Sequence, residues 1–453
     1  HHPEIGYRLR EADYRIQNDN DTNLSNDIVS VKPGKWVRTD KIEKVSLDSL
    51  QVSAERGKGK VRLIQYENKH WQIIVDSQPF FVKGITYNPT KIGRDLGDKA
   101  GNRWMFEDAN KNRKPDTPYD AWVDKNENNL KDANEPAVGD FTLMREMGAN
   151  AIRLYRFRNT LNYEPEEFNK ELLRKMAQSY GIYAIMADFL GAYTVGSGAT
   201  WEEGTDYTDA KHLKNMKRLV REYVLDHKDE PYVLMWLLGN ENLMVSDYTG
   251  VNATRTNAAD HPKEFLTFVN DVAKMIHELD PNHPVAVGNL ALNNLEDHAR
   301  YAPDVDIFGA NSYPGSFGFG DLWRRVQNTF DRPVLITEFG CDAFNAKTDK
   351  YDGAMQKEYH RSAWKDIELN KAGGMEEGNA IGGIVFEYLD EWWKSQKGSW
   401  NKHDAEKDYP MAFPDGWANE EWLGIISQGD GKSSPFLRQP RPAYYLYRDE
   451  LWK

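Results

Sequence analysis

Eight apolar runs, most of them separated by a stretch of helical period, constrain this chain more than any other feature. They fall at residues 80–87, 151–155, 182–187, 231–238, 285–287, 305–310, 333–338 and 383–388. The fourth shows the type: Val233-Leu234-Met235-Trp236-Leu237-Leu238 has no polar alternation, as in a strand buried on both faces of a parallel sheet. Between the runs, Leu213, Met216, Leu219, Val220, Tyr223 and Val224 make one helical stripe, and Phe265, Phe268, Val269, Val272, Ile276 and Leu279 another. Further helices are expected at 141–147, with Asp140 as N-cap and Gly148 as stop, and at 171–180, 322–330 and 355–369. Repeated βα units imply a parallel sheet with helices outside it, and eight of them closing on themselves give a (β/α)8 TIM barrel over residues 79–453. A doubly wound open sheet is the alternative, but no Gly-rich dinucleotide turn follows an early strand.

Residues 1–78 read as a small β-rich cap or wrapping segment. Strand-like pieces occur at Val29-Ser30-Val31 and Gln51-Val52-Ser53, and a hairpin is expected from 62–66 and 71–75, with a turn at 76–79 leading into the first barrel strand. A long polar insertion follows that strand, at about residues 90–138.

Polar residues gather where the apolar runs stop. The first run ends in Tyr87 and Asn88, the second carries Arg153, the third ends at Asp188 and the fourth at Asn240 and Glu241. The sixth leads to Asn311 and Tyr313, the seventh to Glu338, and the eighth to Glu387, Asp390, Glu391, Trp392 and Trp393. In a parallel barrel the C-terminal strand ends carry the chemistry. A single Glu after a strand more often serves a helix terminus or a salt bridge. Two carboxylates on strands four and seven, however, face each other across the mouth and can flank a glycosidic bond, one as general acid, the other as nucleophile or base. Arg153 would hold the nucleophile ionised, Tyr313 would donate a hydrogen bond to it, and Asn240 would bind the sugar's 2-hydroxyl. Tyr87, Asn88, Asp188, Trp392 and Trp393 complete the candidate substrate site. The chain has 14 Trp, and Trp392, Trp393, Trp400, Trp417 and Trp422 sit in polar, loop-like contexts after the eighth strand, where flat apolar rings can line a cleft for several sugar units.

The segments Phe81-Val82-Lys83-Gly84-Ile85, Asn150-Ala151-Ile152-Arg153, Gly239-Asn240-Glu241, Asn311-Ser312-Tyr313 and Thr337-Glu338-Phe339-Gly340 together resemble clan A glycoside hydrolases. The family 2 barrels are similar, and so are the fungal β-1,3-glucanosyltransferases, through Lys83-Gly84-Ile85-Thr86-Tyr87, Gly309-Ala310-Asn311-Ser312-Tyr313 and Glu338-Phe339-Gly340-Cys341. The resemblance implies a retaining mechanism on β-linked sugars, with Glu241 as acid/base and Glu338 as nucleophile, and no cofactor for catalysis. Two departures point away from exo-acting monosaccharide specificity. Roughly 75 residues before the barrel are too few for the two β-sandwich domains usual in family 2, and the first strand ends in Tyr87-Asn88-Pro89 without the His often found nearby. The expectation is a hydrolase or transglycosylase of β-glucan-like saccharides. The alternatives are an exo-β-glycosidase of the β-galactosidase or β-mannosidase type and a carbohydrate-binding barrel without turnover.

The insertion holds a second pattern. Asp124, Asn126, Asn128, Asp132 and Glu135 place oxygen ligands at positions one, three, five, nine and twelve of an EF-hand-type loop, with Asn129 at the sixth position, where left-handed backbone is needed. Asp108, Asn110, Asn112 and Asp116 repeat the first part, with Tyr119 at the position of the bidentate Glu. Structural Ca2+ is the expectation.

A net charge of −13 argues against phosphate-backbone recognition, so no nucleic-acid partner is expected. No apolar run reaches membrane-spanning length. Cys341 is the single cysteine, so the compartment cannot be read from disulfides. His1-His2 reads as a tag remnant, and a secreted, periplasmic or cell-surface location is expected.

Overall fold

The computed structural model describes residues 46–94, 101–157, 167–245, 253–395 and 400–453. It also gives the backbone of four short strands, Tyr7–Arg8 paired with Val37–Arg38 and Tyr14–Ile16 paired with Val31–Pro33. Of the strand expected at Val29-Ser30-Val31, the first two residues lie outside the described residues.

Four antiparallel strands come first: β1 (Val52–Arg56), β2 (Val61–Tyr66), β3 (Trp71–Val75) and β4 (Gln78–Phe80). The β2–β3 hairpin is the expected one, and Asp76 and Ser77 form the next turn with φ of 48° and 65°. The apolar run at 80–87 is divided: its start pairs back onto β3 as β4, and only β5 (Val82–Thr86) enters the barrel. The closed barrel then runs through β6 (Ala151–Leu154), β7 (Tyr183–Asp188), β8 (Val233–Leu238), β9 (Val285–Leu290), β10 (Ile307–Asn311), β11 (Val334–Phe339) and β12 (Ala380–Val385). All pairings are parallel, and β5 hydrogen-bonds to both β6 and β12 to complete the circle.

Period-two alternation sorts each strand between two cores. Ile185 and Ala187, with Met235 and Leu237, fill the barrel interior; Ala184, Met186, Trp236 and Leu238 face the helices. Val61, Leu63, Trp71, Ile73 and Val75 of the N-terminal hairpin belong to the interior cluster. The leading sheet therefore plugs the N-terminal end of the barrel, leaving its C-terminal mouth as the open face.

The helices bear out the periodicity: α1 (Asp140–Met147), α2 (Lys170–Tyr180), α3 (Ala210–His227), α4 (Pro262–Leu279), α5 (Leu295–Tyr301), α6 (Leu322–Thr329) and α7 (Gly353–Leu369). Gly148 and Gly181 stop α1 and α2 in the left-handed conformation. Two expectations are corrected. A helix, α5, fills the interval between β9 and β10, where none was assigned. Asp140 does not cap α1: Gly139 occupies the cap position, and the Asp140 carboxylate is held by Arg438. Among the described residues no helix is long and apolar enough to cross a membrane.

Candidate active site

The constellation at the mouth begins with Arg153. Ala151 lies in the barrel interior, so period two points Arg153 and then Tyr155 the same way, towards the mouth. The Arg153 guanidinium is fully buried. Its Nη1 donates to Glu338 Oε1 at 2.9 Å and to Asn311 Oδ1 at 3.1 Å, and its Nη2 donates to Asn240 Oδ1 at 2.8 Å. One cation thus ties together the ends of β8, β10 and β11. Pairing of Asn311 with Glu338 in the β10–β11 ladder brings those two side chains to the same level.

Glu338 is bonded at both oxygens. Tyr313 OH donates to Oε2 at 2.9 Å, and Tyr155 OH donates to Oε1 alongside Arg153. Asn311 Nδ2 is shared between Asn240 Oδ1 and Glu241 Oε1, each at 3.0 Å, so one amide links the two carboxylate neighbourhoods.

Glu241 is placed by a sharp turn. Gly239 has φ of 79°, and a Cβ there would lie 2.6 Å from Asn242 Oδ1. Asn242 accepts from Asn240 N–H at 2.7 Å and donates to Phe189 and Leu190 carbonyls, fixing the turn against the end of β7. Glu241 itself has φ of 55°, an unusual conformation for a non-glycine residue and one that persists where the surroundings enforce it. Burial, and then the Glu338 charge, push the Glu241 carboxyl up to about 8, against the opposing Asn311 hydrogen bond and Arg153 charge. It therefore carries a proton at neutral pH.

Both glutamates open onto a cavity of about 600 Å³, lined also by Asn88, Tyr155, Tyr193, Asn240, Tyr313 and Trp393. Its apolar side is built by Phe157, Phe189, Val195, Trp201, Met244 and Val245; its charged side by Glu391, Lys394 and Glu420.

The structure thus gathers Glu241, Glu338, Arg153, Asn240, Tyr313, Asn88 and Trp393 of the expected residues. It places three others elsewhere. Tyr87 is fully buried beneath the site, with its hydroxyl donating to Asp140 at 2.8 Å and its ring edge-on to Trp104. Asp188 accepts from Arg156 at 3.1 Å and from Leu190 N–H at 2.9 Å, so it secures the loop after β7 and does not line the cavity. Trp392 stacks on His403 with ring centroids 4.8 Å apart, and Trp422 stacks on the other side at 3.6 Å. Each of these tryptophans has one face taken by His403, and Trp392 is buried, so they act as packing elements. Tyr155, Lys394 and Glu420 were not anticipated. Tyr155 was accessible from its two-residue spacing to Arg153; Lys394 and Glu420 come from loops with no periodic signal.

The two insertion loops share one conformation. Asp108 accepts from the N–H groups of Asn112 and Arg113, and Asp124 from those of Asn128 and Asn129. Positions four and six are left-handed in both, at Lys111 and Arg113 and at Glu127 and Asn129. The Nδ2 groups of Asn126 and Asn128 converge on Asp132 Oδ2 at 2.8 and 3.0 Å; those of Asn110 and Asn112 converge on Asp120 Oδ2, both at 2.8 Å. Asp120, not Tyr119, closes the first loop. Glu135 accepts from Lys125 N–H at 2.6 Å and Asp132 N–H at 3.0 Å, and Asp116 accepts from Ala109 N–H at 3.0 Å. Among the described residues no three His, Cys, Asp or Glu side chains gather as a metal-binding group by themselves.

Comparison with known proteins adds the following. The model for "Glycosyl hydrolases family 2, TIM barrel domain" matches residues 133–368, just over half the chain. A β-glucuronidase of Chlorocebus aethiops is 25% identical over 242 residues, covering 49% of this chain and 32% of that protein. A protein described as "Probable mannan endo-1,4-beta-mannosidase C", from Aspergillus terreus, is 25% identical over 226 residues, 43% of this chain and 54% of the other. A 1,3-β-glucanosyltransferase of Saccharomyces cerevisiae is 22% identical over 301 residues, 62% of this chain and 53% of the other. The chain spans about a third to a half of the length of these relatives.

Proposed function

The chain belongs to the family 2 glycosyl hydrolases, and on that premise we propose that it hydrolyses or transfers β-linked, glucan-like saccharides by a retaining double displacement. The observation that carries this reading is the unequal environment of the two mouth carboxylates. Glu338 is met by one guanidinium and two phenols, whereas Glu241 holds a proton up to about pH 8. A carboxylate pair with environments pushed apart is an acid and a nucleophile.

The steps follow. Glu241 gives its proton to the glycosidic oxygen as a Glu338 oxygen attacks the anomeric carbon; the leaving group departs as an alcohol and a glycosyl ester remains. Glu241, now ionised, takes a proton from water or from a sugar hydroxyl, whose oxygen attacks the same carbon and frees Glu338. Arg153 and the two phenols hold the nucleophile in place. Asn240, whose Oδ1 accepts from Arg153 and Asn311, is positioned to donate through Nδ2 to the 2-hydroxyl, a contact that strengthens in the transition state. A panel of β-linked polysaccharides and aryl β-glycosides with product sizing tests the reading: retention of anomeric configuration is expected, and inversion, or no turnover of any β-glycoside, overturns it. A polymeric substrate fits a secreted, periplasmic or cell-surface location.

We further propose structural Ca2+ in the insertion loops. Both loops carry the EF-hand spacing and the same turns, and an ion would compete for the asparagine oxygens that now accept from backbone N–H groups and for the carboxylates that now accept from asparagine Nδ2 groups. Calcium is expected to raise the melting temperature; an unchanged melting temperature after chelation overturns the proposal.

A further inference from the structure

The cavity wall after β12 carries charges that the double displacement does not use. Lys394 Nζ lies 3.1 Å from Glu391 Oε2 and donates to Glu420 Oε2 at 3.0 Å. The three residues are 6%, 5% and 3% exposed, yet all line the cavity. Tyr409 donates to the second oxygen of Glu420. Burial alone would lower the Lys394 pKa, but Glu420, Glu391 and Glu387 raise it well above the ordinary value, so the amine stays charged. Lys394 Nζ also sits 4.5 Å from the Phe386 ring, and that ring packs edge-on to Tyr313, the residue that bonds Glu338. The charged wall therefore borders the nucleophile's side of the cavity, where the sugar that becomes bound to Glu338 must lie.

We propose that Glu391, Lys394 and Glu420 select the sugar at that position, recognising adjacent hydroxyls of a neutral glycone and excluding uronic acids. The inference rests on the family reading above and names its substrate class. A hydroxyl both donates and accepts, so two neighbouring hydroxyls can donate to a carboxylate and accept from the ammonium without dismantling the triad. A uronate offers the triad a negative charge and acceptors only. Lys394 has one N–H left for it, but the uronate would then lie against Glu391 and Glu420, and three carboxylates around one ammonium leave buried negative charge uncompensated, which is costly. The balance of charge agrees: Glu338, Glu391 and Glu420 line the cavity beside protonated Glu241, and the cations facing them are Lys394 and, beneath, Arg153.

The test compares 4-nitrophenyl β-glycosides of glucose, galactose, mannose and cellobiose with the β-glucuronide and β-galacturonide. The best neutral glycoside is expected to exceed the uronides in kcat/KM by about 100-fold or more. Glu420→Gln keeps the side-chain shape and removes one negative charge. It should lower kcat/KM for the neutral glycoside and narrow the neutral-to-uronide ratio by roughly tenfold or more, at an unchanged fold by circular dichroism. Binding of the same glycosides to Glu338→Gln, followed calorimetrically, reads selectivity without turnover. Neutral binding with no uronide binding supports the proposal even where wild-type turnover is absent, in which case the catalytic reading fails alone. A uronide bound or turned over as well as its neutral counterpart overturns the proposal. So does a ratio unmoved by Glu420→Gln, and so does failure of every glycoside to bind.

Discussion

Two fully buried arginines, Arg153 and Arg438, each meet a carboxylate, and they do opposite things. Arg438 grips Asp140 with two parallel bonds of 2.7 Å, while Tyr87 and Tyr388 donate to the same two oxygens at 2.8 and 2.9 Å. Four donors exhaust what a carboxylate can readily accept, and neither residue lines the active-site cavity. This knot joins α1 to the strand Leu437–Pro440 and acts as a staple. Arg153 touches Glu338 through one nitrogen only and spends its other donors on Asn240, Asn311 and the Thr337 carbonyl. Among the described residues its Nε has no partner, and the carboxylate faces open space shared with Glu241. The two guanidiniums are equally buried; what separates a staple from a reactive pair is whether the carboxylate's surroundings are closed.

The comparison can be broken most severely at Glu338. Glu338→Gln should cut kcat by roughly 10⁴-fold or more, judged from other covalent nucleophiles, with little change in a denaturant midpoint; unchanged activity would remove Glu338 from the mechanism. Arg438→Met should do the reverse. It leaves Asp140 buried and unpaired and should cost about 3–5 kcal/mol of stability, read by urea unfolding, with activity per folded molecule retained. An equal loss of kcat would show that the staple also shapes the mouth. Tyr313→Phe removes one donor to Glu338 and should lower kcat about 10–100-fold, with stability altered by no more than about 1 kcal/mol.

The gentlest probe is pH. Protonated Glu241 is the competent form, so kcat/KM should fall about tenfold per unit once pH passes about 8, and Glu241→Gln should abolish that limb along with most of the activity. Stability carries the same sign. The folded pKa lies above the unfolded one, so the group's contribution is full below the ordinary glutamate value of 4.5 and is lost as pH rises through about 8. Glu241→Gln should therefore stabilise the protein relative to wild type increasingly between pH 5 and 8; a constant difference across that range would refute the raised pKa.

Much of this was legible in the chain. Glu241, Glu338, Asn240 and Tyr313 each end or follow an apolar run and Arg153 interrupts one, and a parallel barrel turns such positions into one surface. Trp392 and Asp188 occupy equivalent positions but were captured by His403 and Arg156, contacts from other loops that no local pattern records. Asp140 has the residue type and place of a helix cap, yet an arginine almost 300 residues away claims it.

The sequence by itself determined the alternation of strand and helix, the identity of the mouth carboxylates and the left-handed backbone at Asn129 of the second insertion loop. These depend on short-range periodicity and on which side chains tolerate a given backbone. Only the tertiary structure decided which charged groups share a cavity, that Glu241 keeps its proton while Glu338 is anchored by three donors, and that Lys394 and Glu420 meet beside them. Those outcomes depend on desolvation and on distances between distant segments, and both come into being only when the barrel closes.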